Sequence, residues 1–503
     1  MAMTTHAPVP PSLEIRRAPE PPLGGRVSAN TLYLLHKCDR RLWLTRHQPE
    51  LATPPSEFDE LIRDKGREHE RQVREAAFPH CAGPLFFGQP AEQAAAETLR
   101  CLRETRDALY QPLLLSRDRR RVGVPDFLYW EDGGLVVHDA KLAVNLKDHV
   151  EINLQMTHYA RLLEETLGAP PLRLEMTNGS GDVVPVEDLG EERYEDAVRR
   201  AAALVAGGPE PRTLRTHSVC EECPFYERCW PLAVAERRIE VLGDVWTSVA
   251  PALHALGLDT IEALAAVEPD HIRVKGVRNM ADGIVAEARA HRDGRPVWLA
   301  PPHLPPYPVV WFDLEGDPDG EEVDKAIYLW GLTVDDGRHE PAPEAIVAEF
   351  EDDGGRRAWE RFVARATGIL ARHPEARWVH YHSYEKTWLR RYAALYGAPA
   401  GFAARMEEAL FDLYYKGVRA ALRLPLYSYS IKKVADHVGF RWRNPESGSA
   451  WSIVQYQKAR QARDPAERAR ILKEITDYNA DDLLAMRAVW RWMLAEGPKA
   501  HCG

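Results

Sequence analysis

One short stretch of the sequence, residues 124–143, places carboxylates where a hairpin would bring them together. Asp126 follows a proline, and Asp139 and Lys141 lie two residues apart on the next predicted strand. Because alternate residues of a strand share a face, Asp139 and Lys141 point the same way, and a hairpin brings Asp126 beside Asp139. Two carboxylates with a neighbouring ammonium suit hydrolysis assisted by Mg²⁺ or Mn²⁺. An exposed hairpin with a salt bridge is the structural alternative.

A second pair of acidic residues ends another apolar stretch. The segment VVWFDLEGDP, residues 309–318, places Asp313 and Glu315 two apart at the end of a predicted strand, so both carboxylates point to one side. Such a pair suits the binding of divalent cations. An acidic turn after a core strand is the alternative.

Three of the seven cysteines lie within ten residues, as Cys220-x2-Cys223-x5-Cys229. The first 28 residues hold many prolines and no apolar stretch of a signal peptide, so we expect a disordered arm and a reducing, cytoplasmic setting. In such a setting a cysteine cluster is more often metal-binding or catalytic than disulfide-bonded. Thiolate-rich sites suit both Zn²⁺ and iron–sulfur clusters, and the spacing alone does not decide between them.

The overall composition, with 45% hydrophobic and 28% charged residues in 503, is that of a globular chain of several domains. No apolar run is long enough to span a membrane.

The net charge of −11 argues mildly against a positively charged surface for nucleic-acid binding. Basic and aromatic residues nevertheless alternate over residues 414–443. Phosphates attract such cations and unstacked bases attract such rings. For this segment alone, a solvated face with core aromatics is the favoured interpretation.

The pattern of apolar residues predicts an α/β chain in both halves. In the first half, residues 122–130 and 134–143 predict a hairpin, and residues 151–167 predict a helix. In the second half, three apolar stretches predict strands that are followed by helices. The five prolines of residues 300–308 predict a linker between the two halves.

Four motifs follow one another along residues 29–235 as they do in the RecB-like PD-(D/E)xK nucleases. They stand here, in order, as His69 on a helix, Pro125-Asp126, Asp139-Ala140-Lys141 and Gln155-x3-Tyr159. The resemblance implies a restriction-endonuclease-like domain over residues 29–235 in which these side chains form the active site. It also implies that Asp126 and Asp139 hold Mg²⁺ or Mn²⁺.

The same resemblance implies a role for the cysteines. The RecB-like branch that includes CRISPR-associated and exonuclease V-type enzymes has one cysteine before the nuclease motifs and three after them. The matching residues here are Cys38, Cys220, Cys223 and Cys229. The resemblance therefore implies a [4Fe–4S] cluster, in preference to Zn²⁺, that joins the two ends of the nuclease domain.

The C-terminal half resembles the DEDD exonucleases, which have an RNase H-like fold. The matching residues are Asp313 and Glu315, then Glu385 where the broad family has Asp, then Tyr478 and Asp482 of the Tyr-x3-Asp variant. The resemblance implies an RNase H-like domain over residues 309–498. Asp313 would bridge two metal ions, the other three carboxylates would complete the shell, and Tyr478 would orient water. Asp481 replaces Asp482 if the register shifts by one, and Asp412 is a lower-ranked outer acid.

The segment between the two halves, residues 236–299, is predicted to be helical. Part of it resembles tandem helix-hairpin-helix elements, which bind phosphate through backbone N–H groups, with Gly276 marking one hairpin. A helical spacer is the alternative. No P-loop motif occurs in the sequence, so any unwinding would need a separate helicase.

Together these motifs predict a metal-dependent nuclease with two active sites. Its predicted substrate is DNA, which it would cut as a single-strand or end-processing exonuclease in DNA repair or CRISPR-adjacent defence. One alternative is a DNA-end-binding scaffold with at most one working site, acting beside a helicase. The other is an RNA-processing exonuclease. The oligomeric state is not predicted.

Overall fold

The computed structural model describes residues 25–85, 89–143, 149–317, 326–351 and 353–500. Most of the predicted N-terminal arm, and Cys502, lie outside the described residues. The described chain is a mixed α/β structure, as the sequence predicted, and its strands form four sheets. Within these ranges, no helix combines the length and the apolar character needed to cross a membrane.

The first half of the chain places helices around a five-stranded sheet. Its helices are α1 (Ala29–Lys37), α2 (Asp39–His47), α3 (Glu57–Ala77), α4 (Ala91–Glu104), α5 (Val150–Leu167), α6 (Glu191–Val205), α7 (His217–Glu221) and α8 (Tyr226–Ala235). Its strands are β1 (Val27–Ser28), β2 (Leu109–Tyr110), β3 (Leu114–Leu115), β4 (Arg121–Gly123), β5 (Phe127–Glu131), β6 (Gly134–Ala140), β7 (Arg173–Thr177) and β8 (Val183–Pro185).

The sheet has the order β2-β5-β6-β7-β8. β5 and β6 form the predicted hairpin through the two-residue turn Asp132-Gly133, a sequence typical of tight hairpins because both residues tolerate the positive φ they adopt here. Phe127 pairs with His138, so the residue before β5 lies opposite Asp139. β6 runs parallel to β7, and α5 connects them and buries one face against the sheet.

The middle of the chain consists of short helices with their own apolar core. These are α9 (Ala250–His254), α10 (Ile261–Ala266) and α11 (Ala281–Asp293). The end of this range differs from the helical prediction, because β9 (Val297–Trp298) is a strand that pairs with β15 (Leu422–Arg423). The Trp298 ring stacks on Trp492, with 5.7 Å between ring centroids, and this packing holds the segment against the C-terminal half.

The C-terminal half is built on a second five-stranded sheet, ordered β12-β11-β10-β13-β14. The strands are β10 (Val309–Gly316), β11 (Ile327–Asp335), β12 (Glu344–Val347), β13 (Arg377–His380) and β14 (Leu410–Asp412). The helices are α12 (Gly354–Arg372), α13 (Tyr384–Tyr396), α14 (Phe402–Ala409), α15 (Ile431–His437), α16 (Ser449–Gln461) and α17 (Pro465–Ala500), with a π-helix at Leu413–Arg419.

Strand β10 lies at the centre of this sheet, antiparallel to β11 and parallel to β13. Its apolar residues are buried on both faces, Phe312 against α12 and Trp311 against α17. A continuous apolar run is what a strand covered on both faces requires. The same strand ends in Asp313 and Glu315, so the core fixes the position of both acids.

The two halves pack against each other through α3 and α16. Phe58 and Leu61 of α3 contact the apolar core of the C-terminal half. At the edge of this contact, Lys458 Nζ lies 2.8 Å from the Glu57 carboxylate. The helix that carries His69 is therefore anchored to the C-terminal half as well as to its own sheet.

Candidate active sites

Three carboxylates meet beside the central strand of the C-terminal sheet. Asp313 and Glu315 are alternate residues of β10 and share a face, and Asp482 reaches them from α17. One oxygen from each lies within 4.8 Å of the others, the only such group of potential metal ligands among the described residues. The sequence prediction placed these three together, and the structure does so as well.

The electrostatics of this carboxylate cluster favour a bound cation. Burial, followed by repulsion from Asp482 and other carboxylates, raises the pKa of Asp313 and Glu315 well above the usual range. Burial also raises the pKa of Asp482 to about 7. Ionised carboxylates only accept hydrogen bonds, so they cannot satisfy one another. A set of crowded oxygen ligands of this kind fits Mg²⁺ or Mn²⁺.

Glu385 lies next to this cluster but outside the group of three. It is buried in the first turn of α13, and its Oε2 is 3.2 Å from His380 Nδ1. Burial raises its pKa, and its charge acts on both Asp313 and Glu315. Glu385 therefore borders the cluster while its carboxylate contacts a histidine.

Tyr478 lies one helical turn before Asp482 on α17, as the sequence predicted. Its largely buried hydroxyl hydrogen-bonds to the Asp482 carboxylate. The neighbouring Asp481 points away from the cluster, since its carboxylate accepts bonds from the backbone N–H and side chain of Arg443, each at 2.8 Å. The register with Asp482 in the cluster is the one that the structure adopts.

The other candidate acid, Asp412, stands at the end of β14. One of its oxygens accepts the backbone N–H groups of His382, at 3.2 Å, and Tyr415, at 3.1 Å. Its charge contributes to the raised pKa of Glu385. Asp412 thus orders the loops beside the cluster and is not one of the three clustered ligands.

Two side chains that sequence reasoning missed hold the cluster in place. Asn479 Nδ2 donates to Asp313 Oδ2 at 2.7 Å, and Trp442 Nε1 donates to Asp482 Oδ1 at 2.7 Å. Asn479 was recognisable in principle, because it lies three residues before Asp482 and so shares its helix face. Trp442 was not, because only the folded chain brings it there from 40 residues away.

The contact between Asn479 and Asp313 also explains a glycine in the neighbouring strand. Gly331 lies opposite Asp313 in β11. A Cβ at this position would stand 1.8 Å from Asn479 Oδ1, so a side chain there would displace the amide. Gly331 therefore leaves the space in which Asn479 reaches the carboxylate.

A comparison with known families agrees with this geometry. Residues 310–494 match the model of the RNase_H_2 family, which is part of the RNase H superfamily. The C-terminal half contains an RNase H-like domain. The match covers the central strand and the helix that carries Asp482, and it indicates a nuclease-type activity on a nucleic acid. No curated protein matches the chain.

A second acidic site lies in the N-terminal sheet, outside the RNase H-like domain. The Asp126 N–H donates to Asp139 Oδ1 at 2.9 Å, and the Ala140 N–H donates to Asp126 Oδ2 at 2.9 Å. The hairpin therefore brings the two carboxylates side by side, as the sequence predicted. Burial, then the charge of Asp139, raises the pKa of Asp126 well above its usual range.

Three further predicted residues surround Asp139. Lys141 Nζ lies 3.0 Å from its Oδ2, and Gln155 Nε2 donates to the same oxygen at 3.0 Å. Tyr159 OH lies 2.9 Å from Gln155 Nε2 and donates to Val124 O at 3.1 Å. Burial acts to lower the pKa of Lys141, but the attraction of Asp139 and Asp126 outweighs it and holds that pKa above its usual range. The lysine thus keeps its charge beside the carboxylates.

The predicted histidine of this site takes a more distant position. His69 Nε2 lies 3.3 Å from the carbonyl oxygen of Thr177, on the strand beside β6. Its neighbour Glu70, which the sequence reasoning missed, is buried and accepts bonds from Tyr110 OH at 2.9 Å and Gln111 Nε2 at 2.8 Å. The charge of Glu70 acts on both Asp126 and Lys141. Glu70 could have been found from the sequence, because this acidic residue directly follows the motif histidine.

The four predicted cysteines come together between the ends of the N-terminal half. Cys38 joins α1 to α2, while Cys220, Cys223 and Cys229 lie in or beside α7 and α8. Burial, and then repulsion between the thiols, raises the pKa of Cys220 to about 12; burial raises that of Cys229 to about 11. No three of these sulfur atoms lie within 4.8 Å of one another in the described chain. Cys81 and Cys101 lie elsewhere, against other apolar clusters.

Proposed function

We propose that this chain is a metal-dependent nuclease and that its RNase H-like domain acts as a DEDD-type exonuclease. The observation that carries this proposal is the cluster of Asp313, Glu315 and Asp482, whose oxygens lie within 4.8 Å of one another. Glu385 adds a fourth carboxylate beside them. Bound divalent ions would supply the Lewis acidity that activates water and stabilises the leaving oxygen.

The chain's own residues would position the reacting groups. Asn479 and Trp442 each bind one oxygen of Asp313 and Asp482, and so fix the orientation of both carboxylates. Tyr478, whose hydroxyl already contacts Asp482, would hold the attacking water. Burial of the cluster excludes bulk water and strengthens each of these contacts.

This proposal is tested by cleavage of end-labelled single- and double-stranded DNA and RNA in Mg²⁺ or Mn²⁺. Lys141→Met protein, in which the other candidate site is silenced, is compared with the double variant Lys141→Met, Asp313→Asn; the asparagine keeps the size of the side chain and removes its charge. The expected result is stepwise release of nucleotides that requires the metal ion and Asp313. Metal-independent cleavage, or the same ladder from both proteins, would contradict the assignment.

We propose further that the N-terminal half contains a second nuclease site, of the RecB-like PD-(D/E)xK type. The support is the pairing of Asp126 and Asp139 with Lys141 held 3.0 Å from Asp139. The two carboxylates, with Glu70 nearby, would hold a divalent ion. Lys141 would offset the charge that develops on the phosphate, while Gln155 fixes the orientation of Asp139. We expect the Asp313→Asn protein to retain some cleavage. The double variant Asp313→Asn, Lys141→Met should have none.

For the four cysteines we propose an iron–sulfur cluster rather than Zn²⁺. The support is the resemblance to the RecB-like branch, whose four cysteines follow the same order along the chain. In such a cluster each thiolate would bind its own iron ion, whereas a single Zn²⁺ would take all four thiolates. Metal analysis of anaerobically purified protein tests this, because iron with acid-labile sulfide supports the cluster and stoichiometric zinc without iron contradicts it.

As substrate we propose DNA, cut from an end or as a single strand, in DNA repair or defence and with a separate helicase. Phosphate binding by the helical middle segment, which resembles helix-hairpin-helix elements, would increase the affinity for the strand.

The competing assignment is an end-binding scaffold without catalysis. Tight DNA binding with no cleavage in either metal would favour the scaffold, and preferential cleavage of RNA would favour an RNA-processing enzyme.

A further inference from the structure

The alternating basic and aromatic residues of 414–443 mostly have structural partners. Arg419 and Arg423 both pair with Asp244 of the middle segment. Tyr429 is buried, and the Trp442 indole binds a cluster carboxylate. These contacts explain most of the pattern without nucleic acid. Tyr415 and Lys416, which are adjacent, are among the residues of this segment that stay exposed.

Tyr415 projects from the π-helix, with 54% of its surface exposed. Its ring centroid lies 5.2 Å from that of His382, and its hydroxyl lies 3.4 Å from His382 Nε2. Tyr414 closes the group, 4.6 Å from Tyr415 and 5.0 Å from His382. We call His382, Tyr414 and Tyr415 the aromatic platform.

The platform is attached directly to the RNase H-like site. Asp412 accepts the backbone N–H groups of both His382 and Tyr415, so one carboxylate fixes the two rings relative to each other. His380, two residues before His382, contacts the Glu385 carboxylate. Asp412 pairs with His380 across β13 and β14. The platform therefore borders the catalytic cluster on the Glu385 side.

The backbone at the platform is held in unusual conformations. His382 has a φ of 75°, in the left-handed region that non-glycine residues seldom occupy. The π-helix that presents Tyr415 is a rare element, and such turns are frequent at functional sites. Local strain of this kind persists where the surrounding structure enforces it. Here Asp412 enforces it, and the result is an exposed ring beside the cluster.

We infer that the aromatic platform stacks an unpaired nucleobase of the strand whose phosphodiester lies at the RNase H-like site. This inference rests on the proposed nuclease function and adds to it a preference for single-stranded ends. An exposed tyrosine ring offers its π-face to any base, and the neighbouring Lys416 can pair with the next phosphate. A paired base inside a duplex is already stacked on both sides and cannot use the platform.

The test is an abasic scan with full-length protein that carries Asp126→Asn and Asp313→Asn, so that the strand stays intact. Short single-stranded DNA and RNA oligonucleotides, each with one abasic nucleotide at a different position, are titrated in Mg²⁺ and their Kd values measured. The expected result is one position at which loss of the base weakens binding about 5- to 150-fold. Comparison of the DNA and RNA series shows which of the two strands the protein binds more tightly.

Changes in the platform decide whether Tyr415 makes this contact. In Tyr415→Ala, sensitivity to the missing base should disappear at that one position, whereas Tyr415→Phe should retain it. His382→Asn, which tolerates positive φ, should weaken it, and Leu395→Ala, an exposed change elsewhere on α13, should not alter it.

Each other outcome overturns the inference. A parent protein that binds strands without any position sensitivity, or a Tyr415→Ala protein with unchanged sensitivity, contradicts the platform while the nuclease function stands. A parent that binds no oligonucleotide contradicts the proposed function and the platform together.

Discussion

Lys65 and Asp317 form an ion pair between the helix that carries His69 and the strand end that carries Asp313 and Glu315. Both side chains are largely buried, with 13% and 6% of their surfaces exposed. Lys65 lies on α3, four residues before His69, and Asp317 follows β10 by one residue. One buried charge pair thus joins α3, which belongs to one candidate active site, to the end of β10, which belongs to the other.

Loss of one partner of this pair should destabilise the contact between the two halves. Lys65→Met would leave Asp317 buried and unpaired, which costs about 3 kcal/mol. Lys65→Met with Asp317→Leu should cost less, because no unpaired charge remains. The midpoint of urea denaturation measures both. Lys458→Met breaks the exposed pair with Glu57 at the same contact and should cost under about 1 kcal/mol. Equal shifts for the buried and exposed pairs would contradict this account.

The indole of Trp442 should be needed for activity at the RNase H-like site. Trp442→Phe removes the N–H that holds Asp482 Oδ1 at 2.7 Å, and we expect cleavage to fall about 10- to 100-fold. The matched change Trp492→Phe, at an indole that stacks on Trp298, should leave the rate unaltered. The measurement is the initial rate of nucleotide release in Mg²⁺. An unchanged rate in Trp442→Phe would show that Asp482 needs no such support.

The cysteine cluster should stabilise the N-terminal half through its bound metal. Cys220→Ala should remove the metal and lower the unfolding free energy by on the order of 4 kcal/mol, by analogy with a covalent cross-link over so long a loop. Cys101→Ala, at a buried thiol outside the cluster, should keep the full metal content. Metal analysis and thermal unfolding are measured together. Retention of all the metal in Cys220→Ala would exclude this residue as a ligand.

Buried His158 should make the stability of the chain depend on pH. Its Nδ1 lies 2.9 Å from Tyr194 OH and its Nε2 lies 2.9 Å from Val122 O, and burial lowers its pKa to about 4. Since the unfolded histidine has a pKa of 6.5, the unfolded chain takes up the proton first as the pH falls. The stabilisation is complete above pH 6.5 and is lost towards pH 4.

His158→Gln tests this pH dependence directly. Wild type should lose about 2 kcal/mol more than the variant between pH 7 and pH 5, because only wild type has the titrating ring. Urea denaturation at the two pH values gives the difference. Parallel losses in the two proteins would mean that His158 does not titrate in this range.

The sequence was most informative where a motif coincides with a regular element. Asp313 and Glu315 could be placed on one face because a strand alternates its side chains, and Tyr478 could be placed beside Asp482 because a helix repeats every turn. The hairpin between Asp126 and Asp139 followed from its turn residues. Each of these relationships depends on neighbours within a few residues, or on one tight connection.

The contacts that depend on long-range folding could not be predicted in this way. Trp442 reaches Asp482 only after α15, α16 and α17 have packed on the sheet. Most of the basic and aromatic residues of 414–443 contact other parts of the fold. One such partner is Asp244, which binds Arg419 and lies 175 residues from it. Composition showed the cations and rings, but only the packing shows that Tyr415 stays exposed.

Two adjacent acids on α17 show whether the cluster of Asp313, Glu315 and Asp482 cuts nucleic acid. In a Lys141→Met background, which silences the other candidate site, single-turnover cleavage is measured for Asp482→Asn and Asp481→Asn. We expect a loss on the order of 10³-fold for Asp482→Asn, because Asp482 is a member of the cluster, and less than about tenfold for Asp481→Asn, because Asp481 binds Arg443. Equal losses, or full activity in Asp482→Asn, would contradict this role of the cluster.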